Sequence, residues 1–191
     1  GEIAKEVVGI RPTYNHFASL HIIDTKRGTF FLADTQVNKR VDAEALFDIA
    51  RLTRNSVEYF AHKPVMAMLS YSNFGSSNET ECRNPRIVAE RMQELYPDLL
   101  IDGEMSINFA MNRELRDKTF PFNKLKGEDV NTFVFPNLSS AGTAYRVMLE
   151  MGVGEAIGPI QMGLNKPIHY ISCNSSVRSI LMLAAVAALD A

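Results

Sequence analysis

Residues 70–77 are the part of the sequence best suited to bind an anion. They read SYSNFGSS, and hydroxyl side chains with glycine allow backbone N–H groups to approach a negatively charged ligand closely. The N-terminus of a helix predicted to follow adds further positive potential. The same residues also suit an ordinary turn whose serines cap that helix. The residue pattern by itself leaves both interpretations open.

Two other places carry residue types that support catalysis. Asp102 and Glu104 follow a predicted strand and have the chemistry of an acid–base pair, but we prefer a simple turn, because acids near a helix N-terminus are favourable without any catalytic role. Ser172 follows another predicted strand and has the type of a nucleophile or an oxyanion donor. No His or Lys lies beside it to activate it, and helix capping by the serines that follow is the alternative. Cys173 is either a reactive thiol or a buried, inert one.

Several classes of site are disfavoured by spacing and charge. The four histidines show no metal-ligand spacing, and the glycine-rich phosphate loop G-x-x-x-x-G-K-[ST] does not occur. Gly152, Gly154 and Gly158 resemble a dinucleotide fingerprint, but their spacing is off by one residue and they follow a predicted helix. The net charge is −2 without a basic stripe, so we expect no nucleic-acid partner.

The composition suits one globular domain in a reducing compartment. The chain has 191 residues, of which 46% are hydrophobic, enough for a sizeable core. Its two cysteines are far apart and follow no ligand spacing, which indicates a cytoplasmic location. The longest apolar run, residues 180–189, is too short to span a bilayer, so we expect no membrane partner.

The hydrophobic pattern predicts strands that alternate with helices. Short apolar runs predict strands at residues 20–23, 30–33, 65–69, 99–101, 132–135, 156–160 and 168–171. Helical spacing predicts helices after Asp42, at 85–95, 107–115 and 144–151, and from Ser176 to the end. The first two strands are expected to form a hairpin. The alternation indicates a mostly parallel sheet, whose ligands bind beyond the carboxyl ends of the strands. The loops expected there are 70–77, 102–104, 136–142, 158–163 and 172–176.

The last predicted helix is apolar on nearly every face from residue 180 to residue 189. Such a helix is normally buried all round. We therefore expect it either to cross the core or to dock on something outside this chain.

Several segments together resemble the phosphate acetyltransferases and their relatives. The matching segments, in the family's order, are 31–38 (FLADTQVN), 66–76 (MAMLSYSNFGS), 97–104 (PDLLIDGE), 131–138 (NTFVFPNL) and 156–167 (AIGPIQMGLNKP). The resemblance implies a three-layer α/β/α fold of the phosphate acetyl/butyryl transferase type, related to isocitrate and isopropylmalate dehydrogenases. Residues 1–191 are then a fragment of such a domain, with an α/β lobe at 19–172 and a C-terminal helix, 173–191, that docks on a first lobe missing from the chain.

Two positions depart from the pattern of active members. Those members carry Ser-Arg-Gly-Cys-Ser after the last strand and an Asp shortly afterwards. Ser172 matches the serine, but Cys173 and Ser179 stand where the arginine and the acid belong. Residues 176–180 (SVRSI) are instead similar to the acetyltransferase-like tail of hybrid NADP-dependent malic enzymes. The resemblance therefore implies that Ser172, Cys173 and Ser179 are degenerate positions of a domain without acyl transfer.

The resemblance also implies a ligand and partners. The expected acyl-CoA or phosphate site comprises Ser70, Ser72, Gly75, Ser76, Asn137, Gly158, Pro159, Gln161 and Ser172. We expect acetyl-CoA as ligand, no metal or cofactor in this chain, contacts with the rest of its own chain, and a homo-oligomer. NADP and a divalent metal would belong to an absent malic enzyme portion that decarboxylates malate. An active phosphate acetyltransferase and a purely structural dimerisation module are the alternatives.

Overall fold

The computed structural model describes residues 2–171, 173 and 175–191, and within them seven helices alternate with six strands. In chain order the elements are α1 (Glu2–Val8), β1 (Ala18–Thr25), β2 (Gly28–Ala33), α2 (Ala43–Tyr59), β3 (Val65–Leu69), α3 (Thr80–Leu95), β4 (Leu100–Met105), α4 (Ile107–Met111), α5 (Arg113–Thr119), β5 (Thr132–Val134), α6 (Leu138–Glu150), β6 (Gly154–Met162) and α7 (Val177–Asp190).

The strands form one mixed sheet in the order β4–β3–β5–β2–β1–β6. Strands β4, β3, β5 and β2 run parallel, whereas β1 is antiparallel to both β2 and β6. Helices α2, α3 and α7 pack against one face of the sheet, and α4 and α6 pack against the other. The predicted three-layer α/β architecture with a mostly parallel sheet is confirmed.

Strand β3 shows why the sheet is buried on both faces. All five of its residues are apolar and buried. Met66 and Met68 belong to the core on the side of α2 and α3, whereas Val65, Ala67 and Leu69 belong to the core on the side of α4 and α6. A continuous apolar run is typical of a strand covered on both sides.

Helix α2 follows the predicted pattern closely. The Asp42 carboxylate accepts a hydrogen bond from the Ala45 amide (2.8 Å), as an N-cap aspartate does. The apolar stripe of Leu46, Ile49 and Val57 is fully buried against the sheet. The hairpin between β1 and β2 is confirmed as well, with Thr25 paired to Gly28 at the turn.

Three loop or strand predictions were wrong. Residues 102–104 lie inside β4 and not in a loop, because buried hydrogen-bond partners compensate their polarity. Residues 158–162, of which 158–160 also belong to the strand predicted from the sequence, lie inside β6, an edge strand, where proline is tolerated. Residues 168–171 do not form a strand. Instead, the His169 ring Nδ1 accepts a hydrogen bond from the backbone N–H of Gln161 (3.1 Å). This contact places the segment beside β6 through a side chain and not through strand pairing.

Helix boundaries also differ from the prediction. Helix α3 starts at Thr80 and α6 at Leu138, both before the predicted residues 85 and 144. The predicted helix at 107–115 is divided into α4 and α5 at Asn112, whose side chain caps α5 by accepting from the Leu115 amide (3.0 Å).

Helix α7 is half covered by the chain. Leu183 is buried and Val186 is partly buried against the α2 side of the sheet, and the Ser176 hydroxyl caps the helix. Val177, Leu181 and Leu189 are exposed. The helix does not cross the core of the described chain, and its docking on a first lobe stays a prediction.

The stretch between β4 and β5 has little regular structure and is organised around Arg116. This guanidinium is completely buried. It donates to the carbonyl oxygens of Phe109, Ala110, Leu125 and Glu128. One side chain thereby connects α4 and α5 with the segment that leads into β5.

Candidate functional site

The carboxyl ends of the parallel strands meet at one edge of the sheet, which we call the carboxyl edge. Ser70 follows β3 and Asp34 follows β2 at this edge, and Asn137 lies just after β5. Because β1 is antiparallel to β2 and β6, its first residues and the last residues of β6 lie there too. Ser19 and Gln161 face each other in this register. This is where α/β sheets bind ligands.

The serine loop, residues 70–77, is tied to a buried carboxylate. Glu104 has no exposed surface. It accepts hydrogen bonds from the Ser72 hydroxyl (2.5 Å) and the Gly75 amide (3.0 Å), and Arg86 forms an ion pair with it (3.3 Å). The loop therefore does bind an anion in this structure, but the anion is the protein's own side chain. Contacts of Ser72 and Gly75 with a ligand stay a prediction.

Ser70 and Ser76 have structural partners as well. Pro85 lies inside α3 and has no amide hydrogen for the carbonyl of Glu81, one turn earlier. The Ser70 hydroxyl donates to that carbonyl instead (2.8 Å). The Ser76 hydroxyl accepts from the Asn73 amide (3.1 Å). These contacts agree with the alternative that the loop is a turn which stabilises the next helix.

The two acids of β4 are structural in this geometry. Asp102 accepts from the amides of Lys124 (2.7 Å) and Gly103 (2.9 Å). Burial raises its pKa, an effect that these hydrogen bonds partly offset. Asp102 and Glu104 are both buried, and both accept hydrogen bonds from neighbouring segments. Their side chains therefore stabilise the packing around β4.

Asn137 borders a cavity of 740 Å³ at the carboxyl edge. Its side chain caps α6 by accepting from the Ser140 amide (2.9 Å), and it donates to Glu81 (3.0 Å). The cavity is lined by Lys39, Glu81, Asn137, Ser139, Ser140, Thr143 and Ala144.

A second cavity, of 820 Å³, lies beside the first. It is lined by Ile3, Gln36, Val37, Asn38, Lys39, Arg40, Gln161 and Tyr170. Lys39 lines both cavities. Neither Lys39 nor Arg40 forms an ion pair with any residue that the structure describes. The edge thus presents cations that remain available to an anionic ligand.

A buried polar network holds the loop that carries Lys39. The Asp34 carboxylate accepts from the amide and hydroxyl of Ser19 (2.9 and 2.6 Å) and from the amide and side chain of Asn38 (2.8 and 2.6 Å). Thr35 continues the network, with its hydroxyl 2.6 Å from Nδ1 of His21. Burial lowers the pKa of His21 to about 4, so its imidazole is neutral at physiological pH.

Sequence reasoning assigned no role to Ser19, His21, Asp34 or Lys39. The only indication in the sequence was the matching segment 31–38, which contains Asp34 and ends next to Lys39. The network depends on the antiparallel pairing of β1 with β2, which brings the start of one strand beside the end of the other.

Gly158, Pro159 and Gln161 lie in β6 at the carboxyl edge. Gly158 has φ +135°, and a Cβ there would lie 2.8 Å from the His21 ring and from the Leu20 carbonyl oxygen. Glycine is therefore required for the close contact between β6 and β1. Gln161 is 5% exposed.

The predicted degenerate positions lie around the start of α7. Ser172 is outside the described residues. Cys173 is a free, exposed thiol. Ser179 belongs to the first turn of α7, where its amide donates to the Ser176 hydroxyl (3.1 Å).

An apolar groove of 410 Å³ lies on the α4 and α6 face, towards the β1–β2 turn. Phe30, Phe133 and Met148 contribute to its lining. Ligand sites combine apolar walls with a few polar groups that orient the ligand, and such groups are concentrated at the carboxyl edge. We therefore take the carboxyl edge as the candidate site.

Metal and membrane features are not evident in the described ranges. Among those residues, no group of three or more His, Cys, Asp and Glu side chains is placed to hold a metal ion. Within the same ranges, every helix is too short or too polar to cross a bilayer.

Comparison with known proteins gives one consistent family. The family model for "Phosphate acetyl/butaryl transferase" matches residues 2–188. The NADP-dependent malic enzyme of Salmonella typhimurium is 35% identical over 190 residues, which are 99% of this chain and 25% of that enzyme. The phosphate acetyltransferase of Bacillus subtilis is 30% identical over 190 residues, which are 100% of this chain and 57% of that enzyme.

Solved structures agree with the sequence comparisons. A phosphotransacetylase from Streptococcus pyogenes superposes with a TM-score of 0.90 at 31% identity, over 98% of this chain and 57% of that one. The EutD phosphotransacetylase from Staphylococcus aureus gives 0.87 at 26% identity, over 97% and 57%. The chain spans about a quarter of the malic enzymes it matches and little more than half of the acetyltransferases.

Proposed function

Since the chain belongs to the phosphate acetyl/butaryl transferase family, we propose that it binds an acyl-CoA, acetyl-CoA first of all, at the carboxyl edge of its sheet. The observation that carries the proposal is the position of Lys39. This cation has no described acidic partner and lines two adjoining cavities. Lys39 is shared by the two cavities and Arg40 lines the second, which suits an elongated ligand with several phosphate charges such as CoA.

The proposed role is binding without acyl transfer. The resemblance described above implies that active members of the family carry an arginine and an aspartate where this chain has Cys173 and Ser179. Transfer of an acyl group depends on positive charge and precise positioning at the reacting centre. The thiol of Cys173 and the hydroxyl of Ser179, in the first turn of α7, supply neither the charge nor the base.

The protein that contains this chain is proposed to be a malic enzyme that oxidatively decarboxylates malate in the cytoplasm. The support is the 35% identity to NADP-dependent malic enzymes over nearly the whole chain. In this proposal NADP and a divalent metal bind in the malic enzyme portion. The acyl-CoA domain regulates that portion and takes part in forming a homo-oligomer.

The alternative is an active phosphate acetyltransferase, which moves an acetyl group between CoA and phosphate. It is favoured by the TM-score of 0.90 with a phosphotransacetylase and by the 30% identity to a phosphate acetyltransferase. A purely structural dimerisation module is a further alternative, which the two cavities at the carboxyl edge disfavour.

Binding and turnover separate these functions. The 191-residue chain is titrated with acetyl-CoA in a calorimeter, and it is also assayed for CoA-dependent release of phosphate from acetyl phosphate. Binding without turnover is the expected result. Robust phosphate release would establish the transferase alternative, and failure of acetyl-CoA to bind would leave only the structural module.

A further inference from the structure

The side chain of Gln161 is a buried amide without a partner. The residue is 5% exposed, and neither its side-chain oxygen nor its side-chain nitrogen has a hydrogen-bond partner in the part of the chain that the structure describes. Buried amides normally have their hydrogen bonds made. An unpaired one weakens the folded state, so its presence calls for an explanation.

The position of Gln161 points to a ligand. The residue lines the 820 Å³ cavity together with Lys39 and Arg40. The cavity therefore combines an unpaired donor and acceptor with two cations that have no described acidic partner. A ligand that matches this set carries an amide and an anionic group.

We propose that Gln161 determines specificity in the acyl-CoA site by pairing with a secondary amide of the pantetheine arm. The inference rests on the proposed function and names the part of the ligand that this residue recognises. A secondary amide has one N–H donor and one carbonyl acceptor, the complement of a glutamine carboxamide. The phosphates of the same ligand suit Lys39 and Arg40.

Contact requires a small movement of Gln161 itself. The amide atoms are shielded from solvent, so the side chain rotates into the cavity when the ligand enters. The sp³–sp³ torsions of the glutamine side chain have alternative staggered positions, and no hydrogen bond of the carboxamide has to be broken. The backbone N–H of Gln161 stays bonded to His169.

The test compares two ligands on matched variants of the chain. The variant Gln161→Leu keeps the approximate size and removes the amide. We expect it to bind acetyl-CoA about tenfold more weakly, the scale of one amide pairing. Adenosine 3′,5′-diphosphate lacks the pantetheine arm, so it should bind to Gln161→Leu and to the wild type with equal affinity. The control Asn15→Leu removes an exposed carboxamide that lines neither cavity and should change both affinities less than twofold.

A second measurement protects the test against a folding defect. Because the Gln161 amide is unpaired in the free chain, Gln161→Leu should unfold at the same temperature as the wild type or a higher one. A clearly lower unfolding temperature would overturn the inference, as would equal affinity of Gln161→Leu and wild type for acetyl-CoA. The proposed function would survive both results, whereas a wild type that does not bind acetyl-CoA would overturn it directly.

Discussion

The hydroxyl oxygen of Ser72 lies 2.5 Å from Oε2 of Glu104, deep inside the molecule. This contact changes the interpretation of the serine loop as a ligand-binding site. The loop has the residues of an anion site, and its anion is a carboxylate supplied by β4. Glu104 also accepts the Gly75 amide and pairs with Arg86, so one buried carboxylate joins the loop to β4 and α3.

The first prediction concerns this carboxylate. Glu104→Gln replaces one acceptor oxygen by a donor that faces donors, and it leaves Arg86 without its charge partner. Disrupting a buried ion pair in this way should lower the free energy of unfolding by about 3 kcal/mol, measured by urea denaturation. The control Glu90→Gln, on the exposed side of α3, should stay within about 0.5 kcal/mol of wild type. Equal stability of the two variants would contradict the assigned role.

The second prediction concerns Ser70. Ser70→Ala removes the donor that compensates for Pro85 and leaves the Glu81 carbonyl unpaired. The loss should be about 1 kcal/mol in the free energy of unfolding. Ser139→Ala changes an exposed serine at the start of α6 and serves as the matched control. If Ser70→Ala unfolds like this control, the Ser70 contact contributes nothing to α3.

The third prediction concerns ligand charge. Lys39→Ala should weaken acetyl-CoA binding about tenfold, the size expected for loss of one charge-assisted contact, in a calorimetric titration. The wild-type affinity should also fall as salt is added, because salt screens exposed charges. Lys63→Ala changes an exposed lysine two residues before β3, at the opposite edge of the sheet, and should bind like wild type. Similar losses in both variants would place the ligand elsewhere.

The fourth prediction concerns acid sensitivity. The pKa of His21 is about 4 in the folded chain because of burial, against about 6.5 in an unfolded one. As the pH falls from 6.5 to 4, the unfolded chain binds a proton that the folded chain does not bind. The stability contributed by neutral His21 is therefore fully present above pH 6.5 and is lost between pH 6.5 and pH 4. The loss approaches roughly 3 kcal/mol.

His21→Gln should flatten this pH dependence, measured as the free energy of unfolding between pH 7 and pH 4. Some slope should remain, because burial also lowers the pKa of His169. The exposed His62 provides the control, and His62→Gln should keep the wild-type slope. An unchanged slope in His21→Gln would show that the buried imidazole is not the source.

The sequence predicted the architecture better than the site. Apolar runs such as Val65–Leu69 and the amphipathic stripe of α2 depend on burial, which local patterns reflect directly. The alternation of strands and helices also predicted the sheet edge where ligands bind, and the resemblance added the expected ligand. The strand predicted at 156–160 contains Gly158 and Pro159, but its continuation to Met162 was assigned to a loop, because glycine and proline usually mark loops.

The chemistry of the carboxyl edge depends on contacts between distant residues. Glu104 resembled a turn acid because nothing in its neighbours indicates Ser72, 32 positions away. Asp34 and Ser19 meet only after β1 and β2 have paired. Such networks follow from the fold and become visible only with it.

The buried guanidinium of Arg116 has a consequence for how the molecule opens. The stretch from α4 to the start of β5 is joined by four carbonyls that share one charged side chain. A segment joined into one hydrogen-bonded group opens cooperatively, at a lower free energy than global unfolding. Its amide hydrogens should therefore exchange with solvent together, and earlier than the amide hydrogens of the sheet.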